Sequence, residues 1–260
     1  MKFECAKLPS RGIPYAVKEI NVSPFRPVHM SFVSEAIYAR NNAPLIEAVS
    51  MVVDFDAKQL TDGDFYYILA WLRFNSRDLP IYSDWECGGV YFTRKDDDKE
   101  YTISDIDQMV EQWELAEGTE AQAEMEDPRT IDFIENDCHH HNKVEVKFED
   151  FSVKFMKEDP LDPRLDYPRA MHMVEYVGLR EENRYKKLIG PVRYIKEGQT
   201  LHAKLNLVLE SDSMELFDIA ARANFEYEHG ILQRVYKSCE RCGIDHAFDV
   251  AIDAHSFFME

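Results

Sequence analysis

Four of the five cysteines set the strongest constraint on what this chain can fold into. Cys239-Glu240-Arg241-Cys242-Gly243 is a Cys-x-x-Cys turn followed by glycine. Such a turn points its backbone amides at the sulfurs and supplies two ligands to zinc or iron. A tetrahedral site needs two more ligands. Cys87, followed by Gly88-Gly89, and Cys138 are available. If all four meet, a metal fastens distant parts of the chain and its binding contributes to folding. Two other readings of the pair stay open. One is a redox-active dithiol, for which no βαβ context or Trp-Cys-Gly-Pro pattern is present; the other is plain burial. Zinc and a [4Fe–4S] cluster both suit four cysteines, and spacing does not separate them. His139 and His141, from the triplet that follows Cys138, are possible extra or replacement ligands, as is His246. A solvated triplet and an exposed strand position are the alternatives. Cys5, near the start, is left outside the set.

Charge is the second constraint. The 260 residues carry 49 acidic and 30 basic side chains, a net charge of −19. That excludes a chain built mainly to hold DNA or RNA, which needs lysine and arginine to displace phosphate counterions. The charge is also uneven. Residues 84–138 hold 18 acids against Arg94, Lys95, Lys99 and Arg129, a net −14. This stretch reads as an acidic inserted arm, either a solvated face or a docking surface for a basic partner. The hydrophobic share of 45% excludes a disordered acidic tail. No stretch approaches the roughly 18–20 apolar residues of a membrane helix. The start has no apolar core of a secretory signal, which predicts folding in a cytosol and no disulfide framework.

Periodicity supplies the elements. Ile13–Val22 alternates and reads as extended, with Pro9, Pro14, Pro24 and Pro27 opposing helix. Short helices are expected over Ser34–Arg40 and Leu45–Val53, and a stronger one over Asp64–Arg73 behind the cap Thr61. Its core face is Phe65, Ile68, Leu69 and Leu72. Ser104 is the expected cap of a helix through Trp113, followed by a loose acidic stretch, Gly118–Asp127. Lys143–Met156 alternates on both sides of Glu149-Asp150 and reads as a strand or hairpin; Met171–Leu179 reads as another strand. Thr200–Leu209 and Ser213–Tyr227 form a helical pair, with Ser213 as cap and Leu216, Ile219, Ala220 and Ala223 facing inward. Ile231–Tyr236 and Phe248–Ile252 flank the cysteine turn as strands. The sum is an α+β fold of short strands and helices around a cysteine metal site. Its parts are 1–83, an N-terminal strand plus helices; 84–138, the acidic insertion; and 139–260, strands, helical pair and knuckle. The middle part is inserted into one α+β domain.

Catalytic signatures are missing. There is no Gly-rich phosphate loop, no HExxH, GxSxG or kinase set, and a four-cysteine site leaves no open position for a substrate water. The residues therefore predict a protein that is not an enzyme; a metalloenzyme would need an open coordination position.

Three runs carry a resemblance. They are Leu8-Pro9-Ser10-Arg11-Gly12…Tyr15; Leu60-Thr61-Asp62-Gly63-Asp64-Phe65…Leu72-Arg73…Trp85-Glu86-Cys87; and His229-Gly230-Ile231…Cys239-Glu240-Arg241-Cys242-Gly243…Phe257-Phe258. In order and spacing they resemble the T4-type bacteriophage baseplate hub protein family. The resemblance implies a structural subunit of a contractile tail baseplate, assembled in the host bacterial cytoplasm and located in the virion tail. Its partners would be other tail proteins, namely hub, tail tube or tape-measure components, in an oligomeric particle, with no catalysis and no nucleic acid. The chain departs from the family pattern after Cys87, where a second cysteine often follows closely; here the next one is Cys138. The alternative is an acidic phage-encoded, host-directed protein whose charge mimics nucleic acid and occupies a basic partner.

Overall fold

The computed structural model describes every residue except 40, 77–79, 97, 176–185 and 259–260. Helices and strands are mixed along the chain, as an α+β fold requires. Contacts divide it into two units. Unit 1 is Met1–Pro80, Lys147–Gln233 and Val250–Glu260; unit 2 is Ile81–Val146 and Arg234–Asp249. The expected insertion thus lies inside a larger unit, which also takes in both strands that flank the cysteine turn.

The first stretch of unit 1 starts with strands β1 (Lys2–Glu4) and β2 (Glu19–Asn21), paired antiparallel. Only these last residues of the expected 13–22 strand are extended in a sheet, because the run before them is taken up by turns. Helix α1 (Pro27–Ala39) begins well before the expected Ser34. Pro27 occupies its first position, where a missing N–H costs nothing. Helix α2 (Ala43–Ser50) has Pro44 in its first turn. Helix α3 (Asp62–Ser76) buries Phe65, Ile68, Leu69 and Leu72 completely. Thr61 Oγ1 accepts the Asp64 N–H at 3.2 Å, the expected cap.

Unit 2 follows. Strand β3 (Ile81–Glu86) leads to β4 (Val90–Arg94) and β5 (Glu100–Tyr101), then to helix α4 (Ile103–Leu115) and the short α5 (Glu120–Glu124). The chain returns through β6 (Phe133–Asp137) and β7 (His141–Val146). β3 pairs with β7, from Ile81↔Val146 to Glu86↔His141, and β4 pairs with β6, from Val90↔Asp137 to Arg94↔Phe133. The register is one and the same, so 81–94 and 133–146 form a single antiparallel ribbon interrupted in its middle. α4 is capped by Thr102 rather than Ser104. Thr102 and Asp105 form a reciprocal capping box, two residues earlier than the expected cap.

Back in unit 1 come β8 (Val153–Lys154), α6 (Lys186–Val192), α7 (Leu201–Leu209), α8 (Glu215–Glu226) and β9 (Gly230–Ile231). The expected 143–156 hairpin does not form, since β7 pairs with β3 while β8 pairs with β9. Residues 171–175 are helical, not extended, and 176–179 of that expected strand lie outside the described residues. Thr200 caps α7, its hydroxyl accepting the Ala203 N–H at 3.1 Å. Ser213 Oγ accepts the Glu215 N–H at 3.2 Å ahead of α8. Ala220 and Ala223 are buried with Ile189, Val192, Tyr194, Leu201 and Leu205, and Leu216 and Ile219 pack against them. The chain's last pass through unit 2 is a hairpin, β10 (Arg234–Ser238) and β11 (Asp245–Asp249), whose turn is the Cys-x-x-Cys run.

Candidate metal centre

The gap in the ribbon of unit 2 is where the two single cysteines sit. Cys87 follows β3, and Cys138 joins β6 to β7. The two connectors bond to each other: the Cys87 N–H donates to the His140 carbonyl at 2.9 Å, and the Cys138 N–H donates to the Gly89 carbonyl at 2.8 Å. One ribbon therefore brings both sulfurs to one place, and the β10–β11 turn brings the other two. Cys87, Cys138, Cys239 and Cys242 are all buried, with their sulfur atoms within 4.8 Å of one another. Cys87 and Cys242 are 3.4 Å apart, Cys138 and Cys239 3.8 Å. These four thiols can hold a metal ion.

The backbone around each sulfur follows one rule. The N–H two residues along the chain faces it: Gly89 for Cys87 at 3.3 Å, His140 for Cys138, Arg241 for Cys239 and Ile244 for Cys242. Such donors stabilise thiolates. Burial opposes ionisation of Cys239, but the N–H groups of Cys242 and Arg241 and the Asn142 amide hold it down at about 6. Burial pushes Cys138 up, and burial and the neighbouring thiols push Cys242 up to about 12. Without a cation, the cage thus resists gathering four negative charges at one point. Gly89 is needed for close approach: a Cβ there would lie 2.4 Å from Ile244 Cδ1 and 3.2 Å from Cys242 Sγ.

The histidines separate. His139 and His141 are exposed and lie 3.4 Å from Glu86 and 3.2 Å from Asp84, away from the sulfur cage. His246, a possible ligand with an exposed strand position as the alternative, is half-buried; its Nε2 is 3.3 Å from Cys87 Sγ and its ring packs on Trp85. It borders the cage as a hydrogen-bond partner of one thiol. Asn142 is the neighbour that sequence reading missed. Its side-chain amide donates to Cys239 Sγ at 3.5 Å and to the His140 carbonyl at 3.0 Å, and its Oδ1 accepts the Glu240 N–H at 3.2 Å. The signal was a polar residue at an inward position of an alternating strand.

In unit 1 the residues of the first two sequence runs meet in one buried network. Asp64, fully buried, accepts the Ser10 N–H at 2.9 Å and the Tyr15 hydroxyl at 2.5 Å. Burial and the Asp64 charge raise Tyr15 well above the usual phenol range, so it stays a donor. The Thr61 N–H donates to the Tyr15 oxygen at 2.9 Å. His229 Nδ1 is 2.8 Å from the Tyr227 carbonyl, which only accepts, so this nitrogen carries the proton. In the neutral ring, Nε2 then accepts from the Thr61 hydroxyl at 2.7 Å. Thr61 and His229 have the spacing of a nucleophile and its base. Thr61 has no exposed surface. Arg73, also buried, donates through Nε to the Ser256 carbonyl at 2.5 Å. Among the described residues no helix is long and apolar enough to cross a membrane. None of the family models, curated proteins or solved structures compared with this chain matches it.

Proposed function

We propose that this protein is a structural, non-catalytic subunit whose acidic unit is held by one tetrahedral zinc ion on Cys87, Cys138, Cys239 and Cys242. The sulfur spacing carries the reading. Four sulfurs about 2.3 Å from one ion stand about 3.8 Å apart, close to the 3.4 Å of Cys87–Cys242 and the 3.8 Å of Cys138–Cys239, and all four lie within 4.8 Å of one another. The thiolates of a [4Fe–4S] cluster stand on separate irons, about 6 Å apart. The spacing therefore favours one ion over a cluster. The ion closes the ribbon gap and ties in the hairpin turn, with no ligand position left for substrate.

The setting proposed for this subunit is the baseplate of a contractile phage tail, where it joins neighbouring tail proteins during assembly. The order and spacing of the three resembling runs support it. Elemental analysis and a visible spectrum of the purified protein test the metal. One zinc per chain and no colour are expected; a broad iron–sulfur absorption or no metal overturns the zinc reading. Mass spectrometry of purified particles tests the setting, with the chain expected at fixed stoichiometry. The charge of unit 2, net −14, favours one second reading, a host-directed protein that occupies a basic partner. That reading requires the chain free in infected cells and missing from particles.

A further inference from the structure

Arg241 lies between the two knuckle cysteines, and its side chain leaves the knuckle. Its guanidinium stacks 4.1 Å from the centre of the Tyr91 ring and donates to the Tyr91 hydroxyl at 3.0 Å. It also grips both oxygens of Glu100, at 3.0 and 2.5 Å. This pairing holds the Glu100 carboxyl below its usual range. Two residues on, Thr102 caps α4, and a Cβ placed on Gly243 would lie 3.3 Å from its methyl group. The knuckle therefore touches the chain at the point where α4 begins.

α4 is held without a deep core. It contains no fully buried residue, and its apolar face, Ile106, Met109, Val110 and Trp113, is half-buried. Arg129 stacks on Trp113 at 4.8 Å and pairs with Glu114 at 2.6 Å, but all three belong to the arm itself. The side-chain ties from β4 and its end, Arg94 to Glu126 and Lys95 to Asp132, reach the returning limb. The entering limb pairs with β4 through β5, at Phe92↔Tyr101 and Thr93↔Glu100, and the knuckle adds the Arg241 grip on Glu100.

We infer that the metal centre controls the order of the acidic arm, with Arg241 as the link. This rests on the metal reading above. Bound metal fixes the Cys239–Cys242 turn, which aims Arg241 at Glu100 and seats Gly243 against Thr102, so that α4 starts at a defined place. Without metal the turn loosens, the fork of Arg241 loses its fixed base, and α4 frays from its first turn. A helix of this length whose apolar face is only half-buried is marginal alone. The arm's carboxylates would then be presented as a fixed array only when the metal is in place.

Hydrogen exchange read by mass spectrometry tests this in the whole chain. Stripping metal should speed exchange of the α4 amides at least tenfold, and adding zinc back should restore protection, while α8 in unit 1 stays unchanged. Arg241→Gln should keep one metal per chain yet show the fast exchange in α4; Glu100→Gln should do the same. Equal α4 exchange with and without metal, or full protection in metal-loaded Arg241→Gln, overturns the link and leaves the metal reading standing. A chain that neither carries nor takes up metal overturns both.

Discussion

At position 63 there is no room for a methyl group. A Cβ on Gly63 would lie 2.4 Å from the His229 carbonyl oxygen and 2.6 Å from its ring, and a Cβ on Gly230 would lie 3.0 Å from the Gly63 Cα. Gly230 also holds φ at +133°, a conformation that side chains disfavour. Gly63→Ala should therefore cost about 1–3 kcal/mol, measured as a lowered urea midpoint, and an unchanged midpoint would contradict the packing. Cys242→Ser should lower metal content and thermal stability together, whereas Cys5→Ser, buried but outside the cage, should keep the metal. His172 predicts a pH dependence. Burial, then Lys204 and Arg193, hold its pKa at about 4 instead of 6.5. Between those values the unfolded chain binds a proton that the folded one refuses, so stability falls as pH drops from about 6.5 towards 4. His172→Gln should flatten that fall in thermal midpoint; an equally steep fall in the variant would remove His172 as the cause.

Among the elements, α4 depends most on its cap. The Thr102 hydroxyl accepts the Asp105 N–H at 3.1 Å, and Asp105 reaches back to the Thr102 N–H at 2.8 Å. With only a half-buried face to compensate, Thr102→Ala should cost about 1 kcal/mol, seen as faster amide exchange confined to α4; unaltered exchange would make the box irrelevant. The helices α3, α7 and α8 were legible in the sequence, whereas α6 was not read and 171–175 was read as strand. Phe65, Ile68, Leu69 and Leu72 repeat at helical spacing and are all buried, and Thr61 caps where expected. The cysteine set was legible too, because a turn of two ligands demands two more. Strand pairing was not. β7 and β8 follow one another with the same alternation, yet each pairs with a strand from elsewhere in the chain. Alternation gives a strand's faces and says nothing of its partner. His246, read as a possible ligand or an exposed strand position, shares the half-buried face of Phe248, with its Nε2 3.3 Å from Cys87 Sγ.

At the scale of the molecule, the charge belongs to one unit. Unit 2 carries 22 acidic and eight basic side chains, a net −14, and unit 1, more than twice as long, carries the remaining −5. The cysteine cage lies wholly in the charged unit, while unit 1 has its own apolar cluster and its own buried polar network. Stability should therefore respond to metal and salt separately in the two. The tryptophans make this measurable, since Trp71 lies in unit 1 and Trp85 and Trp113 lie in unit 2. In a Trp71→Phe variant, fluorescence reports unit 2 alone. Removing metal should lower that unfolding midpoint strongly, because the cage then loses the cation that offsets its thiolates. Raising salt from about 0.02 to 0.5 M should recover part of the loss by screening the surplus carboxylates. The exchange protection of α8 should change little under either treatment. A fluorescence midpoint insensitive to both metal and salt would mean that neither the cage nor the charge governs this unit, and equal losses in α8 would mean that the two units do not unfold independently.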